Sequence, residues 1–218
     1  MAANLTTHLP ITVAQTSTNT TERTDSYLEL AGQTFPSGSV VNLTSAGYVQ
    51  LWPGGSPGSN RILGVPEQPG ANLGSSGAGA APAFGSIGAP GSPSTYGSVP
   101  NQPSAVNIPS GATFSTGQTV VALAVPTTIF RGQVDNSTGA VAADYTATIA
   151  NIGKTYGVTQ SSSDQTFYVD LTAAGGSTAC VTIVDLDPDT MAVGSSTSGT
   201  VNGNVYFTFL LAASQIQQ

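Results

Sequence analysis

The chain has 218 residues, which is enough for one large β domain or two small ones with a buried core. Only 7% of its residues are charged, against about 25% in typical soluble domains. Its net charge of −7 comes from 11 acidic and four basic residues. This balance argues against nucleic-acid partners and against anionic membrane surfaces, because both are bound through Lys and Arg.

The polar surface must therefore be built mainly from Thr, Ser, Asn and Gln, in a chain that also carries 26 Gly and 14 Pro. Neighbouring proteins can cover such a surface without desolvating many ions, which is costly for unpaired charges. The composition suits a subunit of a multi-copy assembly. It suits an extracellular β protein with a Thr/Ser-rich surface equally well.

The first residues have neither the basic region nor the apolar region of a signal peptide. No apolar run approaches the roughly 18 residues of a membrane span. We therefore expect synthesis in the cytoplasm without a signal peptide. The single cysteine, Cys180, lies in an apolar run over residues 179–184. We expect it to be a small buried hydrophobe rather than a reactive thiol.

Helix signals are nearly absent, and short β-branched or alternating runs bounded by Gly, Pro, Asn or Asp predict an all-β fold. We expect an antiparallel β-sandwich or barrel with an extended N-terminal arm at residues 1–20 and an N-terminal β unit at 21–65. A turn is predicted at Phe35-Pro36-Ser37-Gly38. The predicted strands of this half are 9–13, 27–30, 39–43, 48–52 and 62–65, the third and fourth forming a hairpin.

Residues 66–104 are Gly, Ala, Ser and Pro with isolated apolar side chains and one charge, Glu67. Prolines throughout this stretch oppose regular strand pairing. We expect a long Gly/Pro-rich loop there, either a plain linker or an extended arm that orders on a partner surface. A main β domain follows at 105–218. Its predicted strands are 119–125, 128–134, 145–149, 155–159, 166–171, 180–186 and 204–211.

Residues suited to catalysis or cofactor binding are few, and we expect no enzyme and no cofactor. The single histidine, His8, falls in the presumed flexible N-terminus, where a catalytic base would not be held rigidly. Asp185, Asp187 and Asp189 alternate along the chain and could ring a Ca²⁺ ion, but no EF-hand pattern follows. The alternative is a strand end with a Pro turn whose carboxylates cap the backbone. We favour the alternative.

Five runs of the second half carry a common pattern of short strands and turns: residues 125–132, 150–159, 167–170, 181–188 and 204–209. Together they resemble the C-terminal half of head decoration, or cement, proteins of tailed phages. The resemblance implies a β-rich protein that binds the outer capsid lattice in many copies. The implied partners are the major capsid protein and sister subunits, in a homo-oligomer such as a trimer. The long Gly/Pro insertion does not match the family.

The preferred hypothesis is a decoration protein on the exterior of the virion capsid, with contacts made by the N-terminal arm and by the loop at 66–104. Isolated apolar side chains in these segments are the candidates for capsid or subunit contact: Leu5, Leu9, Ile11, Phe84, Ile87 and Tyr96. A tail or fibre component is the first alternative, although no repeat is visible. A carbohydrate-binding or hydrolytic β domain is the second, although aromatic residues are sparse.

Overall fold

A computed structural model of the chain describes residues 8–16, 23–30, 33–58, 60–67, 70–72, 118–136, 146–162, 165–190 and 200–216. Within these ranges the regular structure is β-strand and two short 3₁₀ turns, without an α-helix. The predicted β-rich fold is confirmed. The strands are β1 (Thr12–Thr16), β2 (Thr24–Leu28), β3 (Gln33–Phe35), β4 (Val41–Leu43), β5 (Val49–Leu51), β6 (Gly64–Pro66), β7 (Gly70–Asn72), β8 (Gln118–Leu123), β9 (Thr128–Asp135), β10 (Thr146–Ala147), β11 (Thr155–Gln160), β12 (Phe167–Ala174), β13 (Val181–Leu186), β14 (Thr200–Val201) and β15 (Asn204–Phe209).

The second half of the chain closes into a five-stranded barrel. Its strands are ordered β9-β12-β11-β13-β15, and β15 pairs back with β9 to complete the circle. The β9–β12 pairing is parallel and the others are antiparallel. β9 is long enough to serve three neighbours, because β1 pairs with residues 128–131 and β12 only with residues 134–135. Closure removes the exposed edges that an open sheet would leave.

Aromatic side chains fill the barrel at the β9–β15 seam. Phe130 packs against Phe207 and Phe209 with ring centroids 5.9 and 5.1 Å apart, and the last two rings meet edge to face at 5.5 Å. All three are at most 1% exposed. Gly132 leaves room for this packing, because a Cβ there would lie 2.9 Å from the Phe207 ring. The alternation of buried residues along β9 follows from the two-residue period of a strand.

The second sheet has the order β2-β8-β6-β4-β5, with antiparallel pairing throughout. β8 and the residues after it bury both faces: Ala122 and Ala124 join the core shared with the barrel, while Val121 and Leu123 join a separate smaller core. Trp52, which is fully buried, bridges from this sheet to Phe167 of the barrel, with ring centroids 6.2 Å apart. The two sheets therefore share one hydrophobic core.

Strand pairing crosses the predicted boundaries between segments. β8 belongs to the predicted main domain at 105–218, yet it pairs with β2 and β6 of the predicted N-terminal unit. β1 lies in the predicted arm at 1–20, yet it pairs with β9 of the barrel. β7 lies in the predicted loop at 66–104 and pairs with β3. The reason is physical: a strand satisfies its backbone through non-local partners that local sequence does not reveal.

The predicted strands from 39–43 onward match observed strands closely, with one clear exception, whereas the first two are displaced: 9–13 was predicted for β1 and 27–30 for β2. The short strands β3, β7 and β14 were not predicted. The hairpin of β4 and β5 turns at residues 45–47, as expected, and Gly47 takes a φ of 82° there. The strand expected at 145–149 is wrong in its second half: β10 ends at Ala147, and a 3₁₀ turn follows at Ile149–Asn151. Asn151 explains the change, because its Oδ1 accepts a hydrogen bond from the Thr148 N–H at 2.7 Å and fixes the turn.

Candidate binding surface

The N-terminal segment is fastened to the barrel by five residues that we call the clasp: His8, Leu9, Gln133, Asp135 and Tyr168. His8 Nε2 lies 2.8 Å from Asp135 Oδ2, and the imidazole stacks on the Tyr168 ring with centroids 4.6 Å apart and 19° between the planes. The Leu9 N–H donates to Gln133 Oε1 at 3.0 Å. The clasp therefore continues the attachment to β9 beyond the end of β1.

The polar members of the clasp follow from the alternation of β9. Phe130, Gly132 and Val134 are buried towards the core. Arg131 and Gln133 alternate with them and are half-buried on the other face. Gln133 also donates from Nε2 to the carbonyl of Asn202 at 2.9 Å. The outer face of β9 thus ties several distant segments of the chain to the barrel.

Deep burial limits which side chains of the clasp can carry an unpaired charge. The side chains of His8 and Asp135 are each 2% exposed, and a carboxylate so deeply buried is stable only with a partner. Burial also raises the pKa of Tyr168 above its usual value, and the charges of Asp170 and Asp135 raise it further. The phenol therefore stays neutral, and His8 is the clasp's one basic side chain facing Asp135.

The expectation that His8 lies in a flexible terminus is wrong, because the residue is 5% exposed and paired with Asp135. A carboxylate that orients an imidazole also occurs in hydrolytic sites. Here the side chains of both residues are 2% exposed, which gives a substrate little access to the ring. The geometry favours a structural tie.

The acidic run at 185–189 is not a set of three equivalent ligands. Asp187 is fully buried, whereas Asp185 and Asp189 are exposed. Asp187 Oδ2 accepts a hydrogen bond from Arg131 Nε at 2.7 Å, and Asp187 Oδ1 accepts from the backbone N–H of Asp189 at 3.1 Å and from the Tyr206 hydroxyl at 3.3 Å. This is the strand end and capped turn that the sequence analysis favoured.

The guanidinium of Arg131 supplies the positive charge that a cation would bring to Asp187. Burial raises the pKa of Asp187, but hydrogen bonds from Arg131 and from the Asp189 backbone, with the charge of Arg131, outweigh it, so the pKa lies below its usual value. In the ranges described by the structure, no group of three or more His, Cys, Asp or Glu side chains could hold a metal ion.

Two of the six predicted contact residues can be placed. Leu9 is 52% exposed, although its backbone is held by the clasp. Ile11 is 1% exposed and packs in the shared core, so its assignment as a contact residue is corrected: the chain buries this side chain itself. The remaining four lie outside the described residues: Leu5, Phe84, Ile87 and Tyr96.

A concave surface begins next to Leu9. An open groove of about 270 Å³ runs between residues 10–13 of the N-terminal segment and residues 65–67 at the end of β6. Gly38 forms part of its wall, and its carbonyl accepts a hydrogen bond from the N–H of Ile11, another lining residue, at 3.3 Å. The exposed Leu9 directly precedes Pro10, which lines this groove.

Other large apolar side chains are also exposed, and the sequence analysis did not single them out. In addition to Leu9, the structure exposes Leu28, Ile149, Ile152, Val184 and Leu211. A signal was present for two of them. The spacing Ile149-Ala150-Asn151-Ile152 before Gly153 fits a short turn that displays apolar groups better than it fits the end of a strand.

Two residues of types that often take part in catalysis or ligand binding are buried in the core. Cys180 is fully buried, and burial raises the pKa of its thiol to about 12 despite a hydrogen bond with the Val158 backbone, so the thiol stays protonated. Trp52 is fully buried and donates from Nε1 to the Asn60 carbonyl at 2.7 Å. The single tryptophan is therefore not a stacking platform for a sugar.

No helix in the described part of the chain has the length and apolar character needed to cross a membrane. No family model, curated protein or solved structure matches this chain.

Proposed function

We propose that this chain is a structural protein of a tailed-phage virion that binds the outer surface of the capsid and stabilises its lattice. Its partners are the major capsid protein and sister subunits. The observation that carries the proposal is Leu9, a large apolar side chain that is 52% exposed on a backbone fixed by the clasp. The resemblance of five runs in the second half of the chain to head decoration proteins supports the same function.

The clasp makes Leu9 an efficient contact. Burying a leucine side chain contributes roughly 1.5–3 kcal/mol, and ordering one backbone residue costs about 1–2 kcal/mol. Since the Leu9 backbone is already held by Gln133, a partner gains the burial without that ordering cost. Many such modest contacts on a repeating lattice sum through multivalency.

The distribution of charge supports an interface of apolar and hydrogen-bonded contacts. Two of the acidic side chains, Asp135 and Asp187, are used inside the protein against His8 and Arg131. With four basic residues in the whole chain, few ion pairs can form at a contact. We therefore expect capsid binding to change little between low and moderate salt, because salt screens ion pairs rather than apolar contacts.

The test is co-sedimentation of the purified protein with mature capsids that lack it. The wild type should pellet with the particles, and Leu9→Asp should bind at least about tenfold more weakly. Leu211→Asp is the matched control, because Leu211 is 49% exposed and lies outside the clasp. A wild type that stays in the supernatant, or that binds glycans instead, would reject the proposal.

A further inference from the structure

Three exposed apolar side chains lie on two neighbouring pieces of the barrel, the turn at Ile149–Asn151 with its cap Ile152 and the strand β13. Ile149 is 52% exposed, and Ile152 and Val184 are each 38% exposed. We call these three residues the isoleucine patch. Large apolar groups scattered singly on a surface are ordinary, but a cluster of them indicates a surface that another molecule covers.

The first half of the patch is a rigid turn. Ile149 begins the 3₁₀ turn, and Ile152 is the residue that caps its end. The two isoleucines are three residues apart, a spacing that places side chains on the same side of a 3₁₀ turn. Asn151 locks the turn: its Oδ1 accepts from Thr148 Oγ1 at 2.8 Å, and its Nδ2 donates to the Tyr156 hydroxyl at 2.7 Å. The two isoleucines are thus displayed by a fixed backbone rather than by a frayed loop end.

The second half is a β-bulge in β13. The pairing of β13 with β15 shifts register between Ile183 and Asp185, and Val184 and Asp185 are consequently exposed in succession. Bulges re-aim side chains in this way. The Gly153 N–H donates to the Ile183 carbonyl at 2.8 Å, and the Ile183 N–H donates to the Lys154 carbonyl at 3.2 Å, which joins the turn to the bulge.

Opposite charges border the patch. Lys154 follows the turn and Asp185 follows Val184, and both residues are exposed. The cation adjoins the turn half of the patch and the anion adjoins the bulge half. When the turn half of one copy packs on the bulge half of another, opposite charges meet. In a two-fold interface each such contact is made twice.

We propose that two copies of this chain pair through the isoleucine patch about a two-fold axis, with Lys154 of each copy against Asp185 of the other. The inference deepens the sister-subunit contact of the proposed function and rests on that part of it. It is tested on isolated protein, so that its failure is distinct from a failure of capsid binding. The patch is small against the roughly 800 Å² that each partner buries in stable complexes, and the dimer should therefore be weak.

Sedimentation equilibrium between about 10 µM and about 1 mM covers the range expected for such a dimer. The wild type should associate reversibly, and Ile152→Asp should weaken association at least about tenfold. Leu211→Asp, at a site that is 49% exposed and lies outside the patch, should associate like the wild type. Thermal melting of each variant checks that the fold is kept.

Charge reversal tests the geometry. Lys154→Glu and Asp185→Lys should each weaken association, and a chain carrying both changes should recover it. An equimolar mixture of the two single variants should also form mixed dimers. A wild type that is monomeric over the whole range, or a double reversal without recovery, would overturn the proposal. If Ile152→Asp impairs capsid binding while the wild type stays monomeric, a shell protein covers the patch and self-pairing is wrong.

Discussion

The side-chain amide of Gln215 pairs with both backbone groups of Leu43, 172 residues away in the sequence. The Leu43 N–H donates to Gln215 Oε1 at 2.8 Å, and Gln215 Nε2 donates to the Leu43 carbonyl at 3.1 Å. The Gln215 backbone N–H donates in turn to the Ile62 carbonyl at 2.7 Å. The side chain of Gln215 thus satisfies the two backbone groups of Leu43 that a strand beside β4 would otherwise satisfy.

Replacing Gln215 should destabilise the protein through these two bonds. We expect Gln215→Ala to lower the free energy of unfolding by about 1–3 kcal/mol, because two half-buried backbone groups lose their partner. Gln215→Glu keeps the acceptor for the Leu43 N–H and places a carboxylate oxygen against the Leu43 carbonyl. At neutral pH it should also destabilise. Urea unfolding measures both variants, and an unchanged midpoint for Gln215→Ala would show that water replaces the amide without loss.

Alanine substitutions at two glycines distinguish the cost of backbone strain from the cost of displacing the N-terminal segment. Gly38 and Gly47 have φ values of 75° and 82°, so alanine at either position costs about 1–2 kcal/mol. A Cβ at Gly38 would also lie 2.4 Å from the Pro10 side chain and 2.7 Å from the Ile11 carbonyl oxygen, whereas a Cβ at Gly47 meets nothing within 4 Å. We expect Gly38→Ala to be the more damaging substitution.

The excess damage should be local to the N-terminal segment. Hydrogen exchange followed by mass spectrometry should show faster exchange over residues 8–16 in Gly38→Ala and not in Gly47→Ala. Strand β15 should keep its protection in both variants, since it lies within the barrel. Equal exchange at residues 8–16 in the two variants would mean that the segment moves aside without loss of attachment.

The turns that contain these glycines are among the parts of the fold that could be predicted from the sequence. The turn at 35–38 and the hairpin turn at 45–47 could be predicted, because Gly and Pro punctuate local structure. The burial of both faces of β8 is likewise visible in the sequence, because residues 120–125 are an uninterrupted apolar run. The pairing of β1 with β9 was not visible, since it joins residues more than 100 positions apart through backbone groups that every residue has.

The candidate site was predictable only in part, for a related reason. Leu9 and Ile11 look alike in the sequence, two apolar residues on either side of Pro10. Their exposed fractions are 52% and 1%, although residues two apart would share one face of a continuous strand. Strand β1 begins only at Thr12, and the Ile11 backbone is held instead by the Gly38 carbonyl. His8 acquires a role only when Asp135 and Tyr168 are brought to it. Contacts of this kind depend on the register of non-local strands, which composition does not contain.

Asp187 should make stability depend on pH in the acid range. Its folded-state pKa is depressed by Arg131, so its contribution is complete above the unfolded pKa of about 3.9 and is lost as the pH falls through the folded-state value. Asp187→Asn should cost roughly 2–3 kcal/mol near neutral pH, less than a fully buried pair, because the Arg131 side chain is 36% exposed.

The measurement is urea unfolding of both proteins from about pH 7 to about pH 2.5, a range that spans the titration of carboxyl groups. Other carboxylates titrate in both proteins, so the informative quantity is the difference between wild type and Asp187→Asn. This difference should shrink as the pH falls. A difference that is constant with pH would mean that Asp187 contributes through its hydrogen-bonding shape and not through its charge.

Chelators should leave the protein unaffected. Arg131 already supplies a positive charge to Asp187, and a Ca²⁺ ion there would have to displace it. Melting temperature should be the same in EDTA and in millimolar Ca²⁺, and the double variant Asp185→Asn, Asp189→Asn should behave alike in both. If Ca²⁺ raises the melting temperature of the wild type and the double variant abolishes the rise, the exposed carboxylates bind the ion.

The Gly/Pro-rich stretch should contribute to binding and not to folding. The structure constrains how this is tested, because β7 at Gly70–Asn72 pairs with β3, and a Cβ at Gly70 would lie 2.2 Å from the ring of Phe35 in the smaller core. A deletion must therefore begin after β7. Removing residues 75–100 spares every described strand and leaves residues 73–74 and 101–117 to join β7 to β8.

We expect the deletion to change the melting temperature little and to weaken capsid binding. The reason is that Phe84, Ile87 and Tyr96 are isolated apolar residues in a stretch with few other anchors, where a partner surface would gain from burying them. Replacing these three with serine at constant length is the matched control, because it removes the side chains without shortening the connection. If both variants bind capsids like the wild type, the stretch is a passive insertion and the contact lies on the β surface around Leu9. If the deletion unfolds the protein, residues 75–100 belong to its core.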